Sequence, residues 1–314
     1  MFPFRIARVW RANARRGKTV ALPATPLATS ERLAFDPLET FAGAFKLVGA
    51  IPLDRCPVCE SPSIARLWQF PQTRLDRATT LKSPGSRFDG FYLDYLPMLT
   101  VPQEIFAFDI CRDCHSVFRN PKDDDHRQYL DDASKVAAYR AAGLEPFRGQ
   151  ARRYEGMFPR GAKFVVDAAC GGGQVLAAFR ERNPNLKLLG LDLSKPSVDF
   201  INSLGIPARQ CDLDLDDLDA VAPPGSVDFI VFYEAFEHVR QPLKVLKKLV
   251  RALRPGGRLH FTAQYYGPQN QLQIRVGEPI YIDRDGLDWV LSQLDVRLYD
   301  LVVNIKFRVT IEKQ

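Results

Sequence analysis

Four of the chain's six cysteines fall in two pairs, Cys56-Pro57-Val58-Cys59 and Cys111-Arg112-Asp113-Cys114. Two Cys-x-x-Cys turns can present four thiolates to one tetrahedral zinc ion, and four sulfur ligands leave no open position for catalysis, so a metal held there is structural. Disulfides or a redox pair are the competing reading of the same spacing, but nothing marks the chain as secreted and a reducing compartment favours metal. His115 follows the last cysteine as a substitute ligand or a packing residue. A second group of residues surrounds three consecutive glycines. The apolar run Phe164-Val165-Val166-Asp167 stops at an acid and passes through Ala169 and Cys170 into Gly171-Gly172-Gly173. This reads as a buried strand, a tight turn and a helix start, where glycine accepts positive φ and lets a ligand meet the unpaired helix amides. In isolation the glycines would also suit a flexible loop. Leu188-Leu189-Gly190-Leu191-Asp192 is a second apolar run ending in an acid, the arrangement that offers a carboxylate to ribose hydroxyls. A third run, Val227 to Phe232, leads into Tyr233-Glu234-Ala235-Phe236-Glu237-His238. Glu237 and His238 are the catalytic candidates, His238 first, because imidazole titrates near neutral pH; the alternative is a structural turn.

These residues need a scaffold that brings several strand ends to one crevice. Strands and helices alternate through Val165, Leu189, Ala208, Phe229 and Leu259, which calls for a parallel sheet with helices on both faces and Phe164–Asp167 near its centre. A helix over Arg148 to Phe158 precedes the sheet. Leu243 to Leu253 is an amphipathic helix with Lys244, Lys247, Lys248 and Arg251 outward, stopped by Arg254-Pro255-Gly256-Gly257 before a strand at Arg258–Thr262. Asp283 to Leu294 reads as a further helix, and Val296–Asn304 with Lys306–Ile311 as a closing antiparallel hairpin. The chain divides into a basic arm and linker (1–50), a four-cysteine zinc module (51–125) and a larger α/β domain (126–314). The net charge of +6 sits in the arm: residues 1–30 hold Arg5, Arg8, Arg11, Arg15, Arg16 and Lys18 with no acid, and without them bases and acids balance. Interleaved with Phe2, Phe4, Ile6, Val9 and Trp10, the arm suits peripheral contact of residues 1–20 with an anionic membrane, nucleic acid, a transit peptide or a solubilising tail. Pro23, Pro26 and Pro37 mark a linker after it. No apolar run reaches the ~20 residues of a spanning helix, so a soluble, cytoplasmic protein is expected, with membrane contact at most at the inner face.

The turn at Asp167, Cys170, Gly171 and Gly173 resembles the first motif of class I S-adenosylmethionine-dependent methyltransferases. Ala169 stands where that family usually has glycine, and the Gly-x-Gly-x-x-Gly of dinucleotide-binding folds is absent. The resemblance implies a doubly wound, mostly parallel seven-stranded sheet of Rossmann-like type, with S-adenosyl-L-methionine as cofactor. It implies that Asp167, Ala169, Cys170, Gly171 and Gly173 hold the methionine end, Asp192 and Leu193 the ribose, and Asp212 and Leu213 the adenine. The acids around Asp212 also read as a solvated turn, and Cys170 and Cys211 as small apolar fillers. Tyr233, Glu234, Glu237 and His238 resemble the fourth motif, which borders the reacting centre, and Arg254-Pro255-Gly256-Gly257 before a strand is again similar. The Asn/Asp-Pro-Pro-Tyr/Phe of base amino-methylating enzymes does not occur. Together with the knuckles, Val117-Phe118-Arg119-Asn120-Pro121 and the Tyr129 and Tyr139 segments resemble bacterial methyltransferases with an amino-terminal four-cysteine module, many associated with sugars and cell-surface glycans. Their knuckles commonly end in glycine, where Glu60 and His115 stand here. The resemblance implies a methyltransferase acting on a small-molecule or glycan acceptor, with a sugar hydroxyl as the leading choice. Its alternatives are an RNA methyltransferase, against which the neutral body tells, and a non-catalytic scaffold. The aromatic run Phe88 to Tyr95 is expected to pack on its neighbour or line the acceptor pocket, and Tyr265 and Tyr266 to face the acceptor. Oligomeric state is not legible.

Overall fold

The first strands flank the cysteine pairs. β1 (Ile64–Pro71) and β2 (Ile105–Cys111) form an antiparallel pair that ends on a zinc-candidate cysteine, and β3 (Val117–Arg119) returns beside β2 directly after the second knuckle. Asn120 fastens this unit: its Nδ2 donates to the Leu53 carbonyl at 2.9 Å and to Asp109 at 2.5 Å, and its Oδ1 accepts from the Leu53 amide at 2.7 Å. The computed structural model of the chain describes residues 53–71, 105–120, 127–265, 278–304 and 306–314, all within one compact unit, Pro37–Gln314. The basic arm, the linker prolines, the Phe88–Tyr95 aromatics and Tyr266 lie outside the described residues.

Three helices follow, α1 (Arg127–Leu130), α2 (Ser134–Ala142) and α3 (Glu145–Glu155). The last begins earlier than Arg148 because Pro146 fits the first turn of a helix, where the missing amide costs nothing. Then come β4 (Phe164–Ala168), α4 (Gln174–Arg182), β5 (Lys187–Asp192), α5 (Lys195–Ser203), β6 (Ala208–Gln210), β7 (Val227–Phe232), α6 (Pro242–Ala252), β8 (Leu253–Gln264), β9 (Ile280–Tyr281), α7 (Arg284–Ser292), β10 (Val296–Val303) and β11 (Lys306–Lys313). The large sheet has seven strands in the order β6-β5-β4-β7-β8-β11-β10. β4 through β8 run parallel, and β11 lies antiparallel to β8. β4 and β7 are buried at every residue, as parallel strands covered on both faces must be. The fold is thus α/β with a Rossmann-like sheet. Strand order turns at β4, which pairs with β5 on one side and β7 on the other, so the crevice lies at the carboxyl ends of these strands.

Two local expectations are corrected. β8 starts at Leu253, not Arg258, because Leu253 already pairs with Val227 and the Pro-Gly-Gly segment bulges within the strand, Gly256 taking φ +72°. Lys248 on α6 is half-buried, not outward: its Nζ donates to the carbonyls of Leu213 at 2.9 Å, Asp214 at 3.0 Å and Asp216 at 2.8 Å, fixing the loop after β6.

The small sheet has the order β1-β2-β3-β9, and its fourth strand comes from the far end of the chain. β9 pairs with β3 through Phe118↔Ile280, and the next residue, Ile282, bridges Tyr265 and donates its amide to the Gln264 carbonyl at 3.0 Å. Residues 280–282 therefore tie one sheet to the other. Cys56, Cys111, Cys114, Phe118, Ile280 and Ile282 share one hydrophobic core with Phe232 and Phe261. A segment too small for a core of its own is completed by the larger domain.

Candidate functional site

The four paired cysteines converge. Their sulfurs lie within 4.8 Å of one another, Cys56 Sγ standing 3.5 Å from Cys114 Sγ and Cys59 Sγ 3.5 Å from Cys111 Sγ. None forms a disulfide. Zinc–thiolate bonds of ~2.3 Å at tetrahedral angles set sulfurs about 3.8 Å apart, so this donor set fits the ion. Each knuckle is shaped by its amides: Cys56 N donates to Ser61 O and Cys111 N to Ser116 O, both at 2.9 Å. Glu60 and His115, at the positions where similar modules have glycine, adopt φ of +60° and +59°. His115 lies 3.5 Å from Asp283 and is not among the four clustered sulfurs' groups.

At the end of β4 the chain makes the expected turn. Ala169, Gly171 and Gly173 take φ of +66°, +54° and +75°, and the Ala169 and Cys170 amides both donate to the Leu191 carbonyl, at 2.7 and 3.0 Å. Asp192 then organises the loop: one carboxylate oxygen accepts from Gly171 N at 2.7 Å and the other from Ser194 N at 2.9 Å. A carboxylate has about four acceptor sites, so two remain for ribose hydroxyls. A Cβ at Gly173 would come within 2.5 Å of Ile201, and one at Gly172 within 2.6 Å of the Lys135 carbonyl; only glycine leaves this cradle open. The start of α2 thus lies against the turn, and Ser194 Oγ fixes it by donating to Asp132 O at 2.8 Å. Asp167 is 4% exposed, and burial together with the nearby Asp192 charge pushes its carboxyl up to about 8. The same burial raises Asp192, against the pull of its two amides. Two crowded, buried acids at neighbouring strand ends favour a cationic group beside them. These features fit the amino-acid and ribose parts of S-adenosylmethionine.

Cys170 and Cys211 are buried fillers. The Cys170 sulfur occupies the space above Gly190, and burial pushes the Cys211 thiol up to about 12. Leu193 is half-buried and Leu213 buried. Asp212 sits one strand further out, after β6. One of its oxygens already accepts from the Asp214 amide at 2.9 Å and the other lies 3.6 Å from Arg240, so it shares its role between the local turn and the crevice rim.

The fourth-motif residues line the next strand end. Glu234 takes φ +54°, its amide donating to Thr262 Oγ1 at 2.7 Å and its carboxylate pairing with Lys306, which also stands 5.7 Å from the Tyr233 ring centre. Glu237 is fully buried, and Gln264 Nε2 donates to its Oε1 at 2.7 Å. Burial and the Glu278 charge push the Glu237 carboxyl well up. His238 Nε2 lies 3.6 Å from Glu278 Oε2, and the Tyr129 ring meets the His238 ring edge-on at 6.5 Å. Gln264, Glu278, Lys306, Tyr129 and Lys135 were not legible as site residues. Gln264 alone had a signal, as the polar end of a strand that reaches the crevice.

A family model described as a methyltransferase domain matches residues 166–259. The chain is 31% identical over 185 residues to the mouse tRNA N(3)-cytidine methyltransferase METTL6, covering 52% of this chain and 64% of that protein. It is 32% identical over 111 residues to the ubiquinone biosynthesis O-methyltransferase of Idiomarina loihiensis, covering 34% and 44%. It thus spans less than two thirds of the length of these relatives. Among solved structures, a Mesorhizobium loti S-adenosylmethionine-dependent methyltransferase superposes with a TM-score of 0.45 at 16% identity, covering 55% of this chain and 100% of that one. Residues 166–259 thus match a methyltransferase domain model, and the strand order and glycine turn around them are those of a Rossmann-like sheet.

Proposed function

We propose that this chain transfers a methyl group from S-adenosylmethionine to a small-molecule or glycan acceptor, with a sugar hydroxyl as the leading choice. The observation that carries the reading is Asp192 gripping the Gly171 and Ser194 amides while Asp167 lies buried beside it. Asp167, Ala169, Cys170, Gly171 and Gly173 would hold the methionine end, Asp192 and Leu193 the ribose, and Asp212 and Leu213 the adenine, with Tyr233 and Glu234 at the methyl. When bound, the cofactor supplies a sulfonium methyl for in-line displacement. The protein's own work is alignment, exclusion of water and, for a hydroxyl, removal of a proton. His238 is the base in this reading and Glu237 its buried companion. The four cysteines would hold a structural zinc ion.

Calorimetric titration with S-adenosylhomocysteine tests the cofactor without an acceptor. Micromolar binding is expected, weakened about tenfold, ~1.4 kcal/mol, by Asp192→Ala; no binding would return the domain to a scaffold role. A second reading, methylation of RNA, is favoured by the similarity to the mouse tRNA enzyme. It requires steep loss of RNA affinity with salt, since phosphate contacts release counterions; salt-independent or absent binding excludes it.

A further inference from the structure

We propose that Glu278, held by the small cysteine-bearing sheet, positions and polarises His238 as the base of the methyl acceptor site. The proposal rests on the reading of residues 233–238 as the acceptor end of a methyltransferase. Glu278 is 4% exposed, and its Oε2 lies at ion-pair distance, 3.6 Å, from His238 Nε2. A carboxylate there selects the tautomer with hydrogen on Nε2 and stabilises the imidazolium. The placement is enforced from outside the large domain: Arg119 of β3 donates its amide to the Pro279 carbonyl at 2.8 Å, so the residue after Glu278 is a rung of the small sheet.

The described residues bring other titratable groups to the cluster. Glu237 approaches from the same turn as His238, its Oε2 buried and without a hydrogen-bond partner among the described residues. Glu234 is engaged by Lys306, and Tyr129 reaches the imidazole edge from α1. Burial and the neighbouring Glu278 charge push the Glu237 carboxyl well above the usual carboxylate range. The proton then moves from the acceptor hydroxyl to the imidazole and on to solvent, and no other bond changes at these side chains.

The chain has four histidines, so the His238 imidazole can be followed by NMR in the full chain and assigned by its loss in His238→Gln. Glu278→Gln is expected to lower the His238 pKa by about one unit while S-adenosylhomocysteine affinity stays within about twofold. Glu278→Asp, which keeps the charge, should keep the titration near wild type and guards against a folding defect. An unmoved His238 titration in a cooperatively melting Glu278→Gln protein overturns the proposal. So does Mn(II) binding, read by electron paramagnetic resonance, that Glu278→Gln abolishes, since the three groups would then form a cation site. Failure of the wild type to bind S-adenosylhomocysteine would defeat the methyltransferase reading while leaving the His238 shift to report on the pair itself.

Discussion

Asp167→Asn removes a titratable group from the floor of the crevice and nothing from its shape. In the folded chain, burial and the Asp192 charge hold the Asp167 carboxyl at about 8, against 3.8 for an unperturbed aspartate. Below the unfolded value both states are protonated and the side chain is neutral. Between the two values the unfolded chain releases the proton and the folded chain keeps it, so stability falls as pH rises and the loss is complete above about 8. The slope is ~1.4 kcal/mol per pH unit. From pH 5 to pH 8 the wild type should therefore lose on the order of 4 kcal/mol relative to Asp167→Asn, which cannot ionise. Urea unfolding followed by circular dichroism at pH 5, 6.5, 8 and 9 measures this. The variant's stability relative to the wild type should rise steadily from pH 5 to pH 8 and level off by pH 9. The same variant should weaken S-adenosylhomocysteine binding above about pH 8, where the wild-type side chain is ionised and can meet the ligand's ammonium group. Parallel stability curves across this range would refute the account of Asp167 as a crowded, buried acid.

Freshly purified, reduced protein should contain about one zinc per chain; Cys59→Ser should lower that content, and substoichiometric metal in the wild type would sink the zinc assignment. Ala169 sits at φ +66°, so Ala169→Gly should relieve strain worth about 1 kcal/mol and raise the urea midpoint; an unchanged or lower midpoint contradicts this. Gly173→Ala would force a Cβ to 2.5 Å from Ile201, costing roughly 1–3 kcal/mol and closing the cradle, so both the midpoint and cofactor binding should fall.

The large sheet was legible because parallel strands announce themselves as unbroken apolar runs, and β4, β5 and β7 each carry an acid or an aromatic at the last or next-to-last residue, where the crevice begins. The cysteine cluster was legible from two Cys-x-x-Cys pairs together with the absence of any sign of secretion, and the fold brings the four sulfurs together. What escaped depends on contacts between distant residues. Glu278 stands in a Gly-Glu-Pro stretch that carries no catalytic motif, and only the pairing of β3 with β9 brings it to His238. Lys248 looked like an outward residue of an amphipathic helix; its amine turned instead to carbonyls that sequence does not display. Asp212 was legible as an acid at a strand end, but the turn and Arg240 compete for it.

The loan of β9 to the small sheet also orders the chain's history. Val117 and Phe118 leave the ribosome about 160 residues before Ile280 and Tyr281, their strand partners. At roughly 5–20 residues per second that is on the order of ten to thirty seconds of synthesis. Over that interval the edge of β3 is open and Phe118 lacks its cover. Zinc uptake by the nascent cysteine pairs would hold the early strands together during the wait, so the metal would act first as a guardian of an unfinished sheet and only later as part of a finished one.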